Sequence, residues 1–339
     1  MSAIQLSASR DDVPACPVMQ AGRILYPRHI LNIDSKKRNS MKTILDQAEV
    51  LIPLVTPFDA TGNLERNVLK TLLDWLVETG RCDGVILTGT NGEFWALDDV
   101  EKLDCYRIAV QQWKGKVPII AATGCTATRE TIHLTKEAEH LGVDMAMVIV
   151  PPYGKPEPEG IYRHFAAVAE AVTIPLMIYN IPTFTGTNID VETVARLAQY
   201  DHIIAIKDEA GVHATQTADF IQATGGRMKV YNGDDKHILQ ALAEGAFGLV
   251  SGGAHVIGKE LKQVVKDFKA GRLAEAQTNY RRFIPFLKSL HQSGRANPVP
   301  LLKASLEIIG LPVGPPRLPF YPATEEERKV LRERMPAKA

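Results

Sequence analysis

The run His202-Ile203-Ile204-Ala205-Ile206-Lys207, followed by the turn-like Asp208-Glu209-Ala210-Gly211, decides how this chain is read. It is short, rich in β-branched residues and bounded by turn formers, which marks a strand rather than a helix. Its continuous apolar character suits a parallel strand covered on both faces. The strand closes on a lone cation. An unperturbed lysine has a pKa of about 10.4, so a neutral amine near pH 7 requires a shift of roughly three units, about 4 kcal/mol. Burial at the mouth of a barrel supplies such a shift, because desolvation disfavours the ammonium and leaves a nucleophile able to condense with a carbonyl. On the strand alone, a lysine snorkelling its head into water is the simpler reading.

Working outward, similar β-rich runs fall at 51–56, 84–89, 117–124, 145–151, 175–180, 228–232 and 247–251, which with 203–207 makes eight. Helical patterns separate them. In 67–80 the apolar Val68, Leu69, Leu72, Leu73, Leu76 and Val77 form one stripe, with Gly80 as a stop. Asp98 with Glu101 predicts a variant capping box, and Asp190 predicts an N-cap. Eight alternating units predict an α/β fold, a (β/α)8 TIM barrel with a C-terminal helical appendage; an open doubly wound sheet is the alternative. The expected organisation is an N-terminal extension over 1–44, lacking any sustained period, a barrel over 45–268 and a helical region over 269–339. Met41, shortly before the first strand, is an alternative start.

The 339 residues are 45% hydrophobic and can bury one large core. Lys plus Arg equals Asp plus Glu at 39 each, so no global field recruits nucleic acid or an anionic membrane. Cys16, Cys82, Cys105 and Cys125 are widely spaced and form no metal or disulfide framework, which predicts a reducing cytoplasm. No apolar stretch reaches the roughly 18 residues of a membrane span, and no signal-peptide pattern opens the chain.

Chemistry in such a barrel belongs at the C-terminal ends of the strands. There the second strand ends in Gly89-Thr90-Asn91-Gly92-Glu93, whose backbone N–H groups and Thr90 hydroxyl can converge on a carboxylate. The fourth ends in Pro151-Pro152-Tyr153-Gly154, and the fifth in Tyr179-Asn180-Ile181-Pro182-Thr183-Phe184-Thr185-Gly186. Tyr179, taken singly, reads as a core aromatic with a polar tip. The seventh ends in Asn232-Gly233-Asp234-Asp235 and the eighth in Val250-Ser251-Gly252-Gly253. The acidic pair lacks a third carboxylate at ligand spacing, so turn or capping roles fit it better than a metal.

In this order these motifs resemble the dihydrodipicolinate synthase and N-acetylneuraminate lyase family, the class I pyruvate-dependent lyases. The resemblance covers about 47–322, including Asn297-Pro298-Val299-Pro300; its most specific parts are the turn at 89–93, Tyr179-Asn180-Ile181-Pro182 and Ile206-Lys207-Asp208. It implies that Lys207 forms a Schiff base with pyruvate or another 2-oxo acid, whose enamine adds to an aldehyde, with no metal or organic cofactor. It also implies a proton relay of Tyr179, Thr90 and Tyr153, the last reaching a neighbouring subunit's site, and hence a homodimer or homotetramer. Thr90 and Asn91 match the seat of the pyruvate carboxylate, and Val250 matches a position whose carbonyl faces the substrate. Phe184, Asp234 and Ser251 surround the expected aldehyde end.

One departure bears on specificity. Synthases of this family normally carry an arginine where this chain has Phe184, and a phenyl ring cannot replace a bidentate guanidinium. The favoured expectation is therefore an aldolase for a 2-keto-3-deoxy sugar acid or similar 4-hydroxy-2-oxo acid. The alternative is 4-hydroxy-tetrahydrodipicolinate synthase, condensing pyruvate with aspartate semialdehyde; a 2-oxo acid dehydratase or a non-catalytic homologue follows.

Overall fold

Eight parallel strands close into a barrel in the computed structural model, which describes residues 18–20, 23–25, 45–211 and 214–336. The strands are β1 (Val50–Pro53), β2 (Gly84–Leu87), β3 (Ile119–Ala122), β4 (Met145–Ile149), β5 (Leu176–Asn180), β6 (Ile203–Asp208), β7 (Lys229–Asn232) and β8 (Gly248–Val250). Each pairs with the next, and β8 returns to β1 through Leu249 opposite Val50 and Val250 opposite Leu51. All eight expected strands are present, and closure of the sheet removes the open-sheet alternative. In a separate unit, Met1–Asn32, the short strands Val18–Gln20 and Arg23–Leu25 pair antiparallel, a hairpin the sequence pattern did not announce. The rest of the expected 1–44 extension, including Cys16 and Met41, lies outside the described residues.

Strand parity divides the core. Leu51, Ile86, Ile120, Met145, Met147, Met177, Ala205 and Tyr231 fill the barrel, while their neighbours Val50, Ile52, Val85 and Leu87 pack outward under the helices. On β6 the pairing shifts between Leu176 and Met177 of β5, with Ile204 as the extra residue. Beyond that irregularity Tyr179 stands directly opposite Lys207, and Asn180 opposite Asp208.

Two of the outer helices begin on side-chain caps, and apolar spacing defines others. In α1 (Arg66–Glu78) the buried Leu69, Leu72, Leu73 and Leu76 follow helical spacing. The next helix, α2 (Asp99–Trp113), opens with both halves of the Asp98–Glu101 capping box. Then come α3 (Thr128–Leu141), α4 (Pro158–Ala171) and α5 (Val191–Leu197), the last capped by Asp190 as expected. Shorter helices α6 (Gln216–Thr224) and α7 (Ile238–Ala243) complete the alternation with α8 (Ala254–Lys269).

Three further helices form the appendage: α9 (Leu273–Ser289), α10 (Val299–Ile308) and α11 (Glu325–Arg334), the last started by a Thr324–Glu327 capping box. Every residue from Val299 to Leu306 is buried, so α10 is covered all round. That is how Lys303, only 1% exposed, comes to rest 2.6 Å from Glu93 in the turn after β2, whose side chain is fully buried. The contact is an ion pair set off the axis of a good hydrogen bond. The ammonium also donates to the Pro315 carbonyl and sits over the Phe58 ring. Burial pulls its pKa down to about 8, although Glu93 resists that shift.

Removing one partner of this pair leaves an uncompensated buried charge. Lys303→Met is expected to cost about 3–5 kcal/mol in urea unfolding at pH 7, with much of the loss recovered in Lys303→Met/Glu93→Gln.

Candidate active site

The C-terminal ends of β1, β2, β5, β6, β7 and β8 surround a cavity of about 420 Å³. Lys207 lies at its floor, 4% exposed. Strand parity turns it inward with Ala205, and the parallel register sets Tyr179 beside it, so the ammonium rests 3.9 Å above the phenol ring. Two amides and a carboxyl lock the neighbouring strand ends. Asn180 Nδ2 donates to Asp208 Oδ1 (2.8 Å) and to Asn188 (2.7 Å), while Gln216 donates to the same Asp208 oxygen (2.9 Å). Asn180 and Asp208 therefore hold the two strands that carry Tyr179 and Lys207.

Glu209, which the sequence reading passed over, changes the electrostatics. Its Oε2 lies 2.8 Å from Lys207 Nζ and accepts a hydrogen bond from the Tyr179 hydroxyl at 3.0 Å. Burial pulls the Lys207 pKa down, but the Glu209 carboxylate and Tyr179 phenol outweigh it and the net shift is upward. The expected lowering by desolvation is thereby corrected: without a ligand this lysine is an ammonium with a counterion. Burial, followed by the Glu209 charge, lifts the Tyr179 phenol well above its ordinary value and keeps it protonated. Thr90 Oγ1 stands 3.3 Å from the Tyr179 hydroxyl, so three polar groups run from the lysine towards the turn after β2.

That turn is sterically determined. Gly92 packs so tightly that a Cβ would lie 2.8 Å from Thr88 Cα, and the Gly92 carbonyl accepts from Thr56 Oγ1 at 2.7 Å. Thr90 and Asn91 both line the cavity, as do Val250, Phe184 and Asp234. Asn91 lies against Gly252, where a Cβ would come within 2.8 Å of its Nδ2. His255 braces the floor: its Nε2 accepts the Val55 N–H (3.2 Å) and its Nδ1 lies 2.9 Å from the Gly252 carbonyl, while burial lowers its pKa to about 4.

Ser251 departs from its expected place at the cavity, and Tyr153, expected at a neighbouring subunit's site, lies away from its own chain's cavity. Ser251 is fully buried, and its Oγ accepts the Ala254 N–H at 3.0 Å; it caps the start of α8 and does not line the cavity. Tyr153 is 94% exposed, with φ +72°, and stands outside its own chain's cavity. Residues absent from the sequence reading complete the wall: Leu287, Leu290, His291, Ala296 and Leu302 descend from the appendage beside Pro298, and Lys236 and His237 follow β7. The Asn297-Pro298-Val299-Pro300 motif was their one visible trace in the sequence. Asp235 Oδ2 accepts the Gly253 N–H at 2.7 Å, tying the turns after β7 and β8, and burial raises its pKa to about 6. Among the described residues no group of three His, Cys, Asp or Glu is placed to hold a metal ion, and no helix is long and apolar enough to cross a membrane.

The arrangement is a buried amine with a carboxylate, a protonated phenol and a donor-rich turn. Residues 46–338 match the dihydrodipicolinate synthetase family. The chain belongs to that family. It is therefore an enzyme of the lyase class. It is 39% identical over 275 residues to the 4-hydroxy-tetrahydrodipicolinate synthase of Bacillus velezensis, covering 81% of this chain and 93% of the relative. The Moorella thermoacetica synthase is 40% identical over 280 residues, covering 83% and 94%. Among solved structures, a Bacillus anthracis dihydrodipicolinate synthase superposes with a TM-score of 0.81 at 38% identity, covering 86% of this chain and 98% of the other. One from Acinetobacter baumannii, complexed with pyruvate, gives 0.79 at 33% identity over 85% and 97%.

Gly233 makes room for the central pair, since a Cβ there would lie 2.6 Å from Lys207 Cε and 2.8 Å from Glu209 Oε2. Its φ is not in the left-handed region, so the penalty for a side chain is steric. Gly233→Ala is expected to lower stability by about 1–3 kcal/mol in urea unfolding, with the Lys207–Glu209 contact broken in its crystal structure.

Proposed function

We propose that this enzyme joins pyruvate to an aldehyde through an imine on Lys207, with no separate cofactor, in the manner of a 4-hydroxy-tetrahydrodipicolinate synthase. The observation that carries this reading is Lys207 in contact with Tyr179 and Glu209, beside the Thr90–Asn91 turn. Relatives bearing the synthase name align along nearly their whole length, which supports this acceptor over the sugar acid favoured on Phe184 alone.

In this reading the pyruvate carboxylate is seated by Thr90 and Asn91, and its keto carbon faces Lys207 Nζ. The protonated imine is an electron sink, so a C3 proton is lost and the enamine attacks the aldehyde carbon. Tyr179, held protonated, supplies a proton to the oxygen on which charge develops. The protruding Tyr153 is assigned to the site of a second copy, making the working unit at least a homodimer.

A second reading, cleavage of a 2-keto-3-deoxy sugar acid, draws support from the acceptor end. Phe184 is 37% exposed to the cavity mouth, where a guanidinium would hold an acceptor carboxylate. Arg295 lies beyond it but is bound at both ends by Glu327, at 2.8 and 3.0 Å, and is not free to substitute.

Incubation with pyruvate and borohydride is expected to add a reduced pyruvyl group to Lys207 in the mass spectrum, and Lys207→Met to add none; an unmodified wild-type lysine would defeat both readings. Tyr179→Phe is expected to lower turnover by roughly 10²- to 10⁴-fold. Parallel assays with aspartate semialdehyde and with glyceraldehyde then decide the acceptor: faster turnover of the former supports the synthase, of the latter the aldolase.

A further inference from the structure

We infer that Glu209 is a catalytic acid–base of imine formation: it takes the proton from the Lys207 ammonium and returns it to the oxygen that leaves as water. This rests on the proposed imine at Lys207. The simpler role, a counterion that neutralises a buried charge, accounts for the 2.8 Å ion pair but not for the rest of the geometry.

One carboxylate oxygen, Oε2, serves both the nucleophile and the Tyr179 hydroxyl. The backbone fixes it there, because the Glu209 N–H donates to the Asn180 carbonyl at 2.9 Å, continuing the β5–β6 ladder one residue past the strand. Hydrogen alone at Gly233 leaves the space that Oε2 occupies. The side chain is 26% exposed and lines the cavity, so it meets an entering ligand directly.

The chemistry requires such a group. An ammonium has no lone pair with which to attack, and of the two titratable side chains touching Nζ, the Tyr179 phenol is already protonated. Only the carboxylate can accept a proton. A 2-oxo acid that fills the cavity expels water from the exposed side of Glu209, and loss of water favours the neutral amine and carboxylic acid over the ion pair.

The steps balance. Lys207 gives its proton to Glu209, and the freed amine adds to the keto carbon as the C=O pair moves to oxygen. Tyr179 gives a proton to that oxygen and recovers one from the nitrogen through Glu209, leaving a neutral carbinolamine. The Glu209 acid then protonates the hydroxyl, the C–O bond breaks, water leaves and the nitrogen lone pair closes the C=N bond. The iminium that results faces a restored carboxylate.

The two roles predict opposite effects in Glu209→Gln. A lost acid–base slows imine formation, whereas a lost counterion leaves Lys207 to burial, which lowers its pKa and frees more amine. Rapid mixing with pyruvate and timed borohydride quench, read by intact mass, is expected to show imine formation in E209Q slowed roughly a hundredfold or more, with an unchanged circular dichroism spectrum. Glu209→Asp, which withdraws the acid by one methylene, is expected to fall between E209Q and wild type. A rate equal to or above wild type in either variant would overturn the assignment, while a wild-type protein that forms no adduct would instead overturn the imine reading beneath it.

Discussion

Lys207 places a charge where a barrel ordinarily keeps none, and the upper half of the molecule is arranged around that charge. Strand parity alone commits it: once Ala205 faces the barrel axis, so does the residue two positions on. A buried ammonium without a partner costs several kcal/mol or titrates away. Here the cost is offset by one carboxylate and by the face of an aromatic ring, both reached through register rather than through long side-chain detours. The β-bulge at Ile204 belongs to the same logic, since it sets which residue of β6 stands opposite Tyr179. A slip of one position would turn Lys207 under the helices and point Ile206 into the cavity.

The appendage extends this constraint to the whole chain. Short loops at the C-terminal face of a barrel leave a shallow opening, and the helices after α8 wall it in with Leu287, Leu290 and Leu302. Their position is fixed by polar contacts that tolerate little movement. Lys303 reaches the buried Glu93 of the turn that carries Thr90, and Arg317 donates its backbone N–H to the other oxygen of Glu93 at 2.8 Å. Tyr280 donates to the Asp235 carbonyl at 2.8 Å, beside the turn that carries Asp234. Buried pairs of this kind add little net stability, yet they penalise any displacement strongly. A turn anchored in that way has its geometry set by the appendage as well as by the barrel.

Much of this was legible before any coordinates. The eight apolar runs and the capping residues Asp98 and Asp190 follow from local periodicity and side-chain chemistry, which act over a few residues; the role expected of Lys207 comes from the resemblance of the strand-end motifs taken together. What local pattern cannot carry is direction beyond the strand ends. Glu209 and Ser251 both sit just past a strand, and whether such a side chain turns into the cavity or into a helix cap depends on contacts far along the chain. For Glu209 those contacts are Asn180 and Gly233; for Ser251 the distant one is Asp235 in the turn after β7, which acts alongside the nearby Ala254 N–H. The direction of the Lys207 pKa shift has the same origin: burial alone would lower it, and the position of the Glu209 carboxylate turns the net shift upward.

The acceptor end shows how specificity can rest on competition among the protein's own charges. One carboxylate holds two of its basic side chains. Lys236 and His237 lean on one Asp234 oxygen, at 3.8 and 3.0 Å. Burial, followed by the nearby Lys236, lowers the pKa of His291 and holds that ring neutral at pH 7. In the proposed synthase reaction, an acceptor bearing a carboxylate would have to draw Lys236 away from Asp234. In the second reading a neutral polyhydroxy aldehyde would meet no such competition, because a carboxylate such as Asp234 accepts hydroxyls and a neutral imidazole such as His291 carries one N–H to donate. On the proposed chemistry the choice of aldehyde would turn on the Asp234 contacts as well as on Phe184. A phenyl ring removes one carboxylate clamp, but the loop after β7 determines whether another is available.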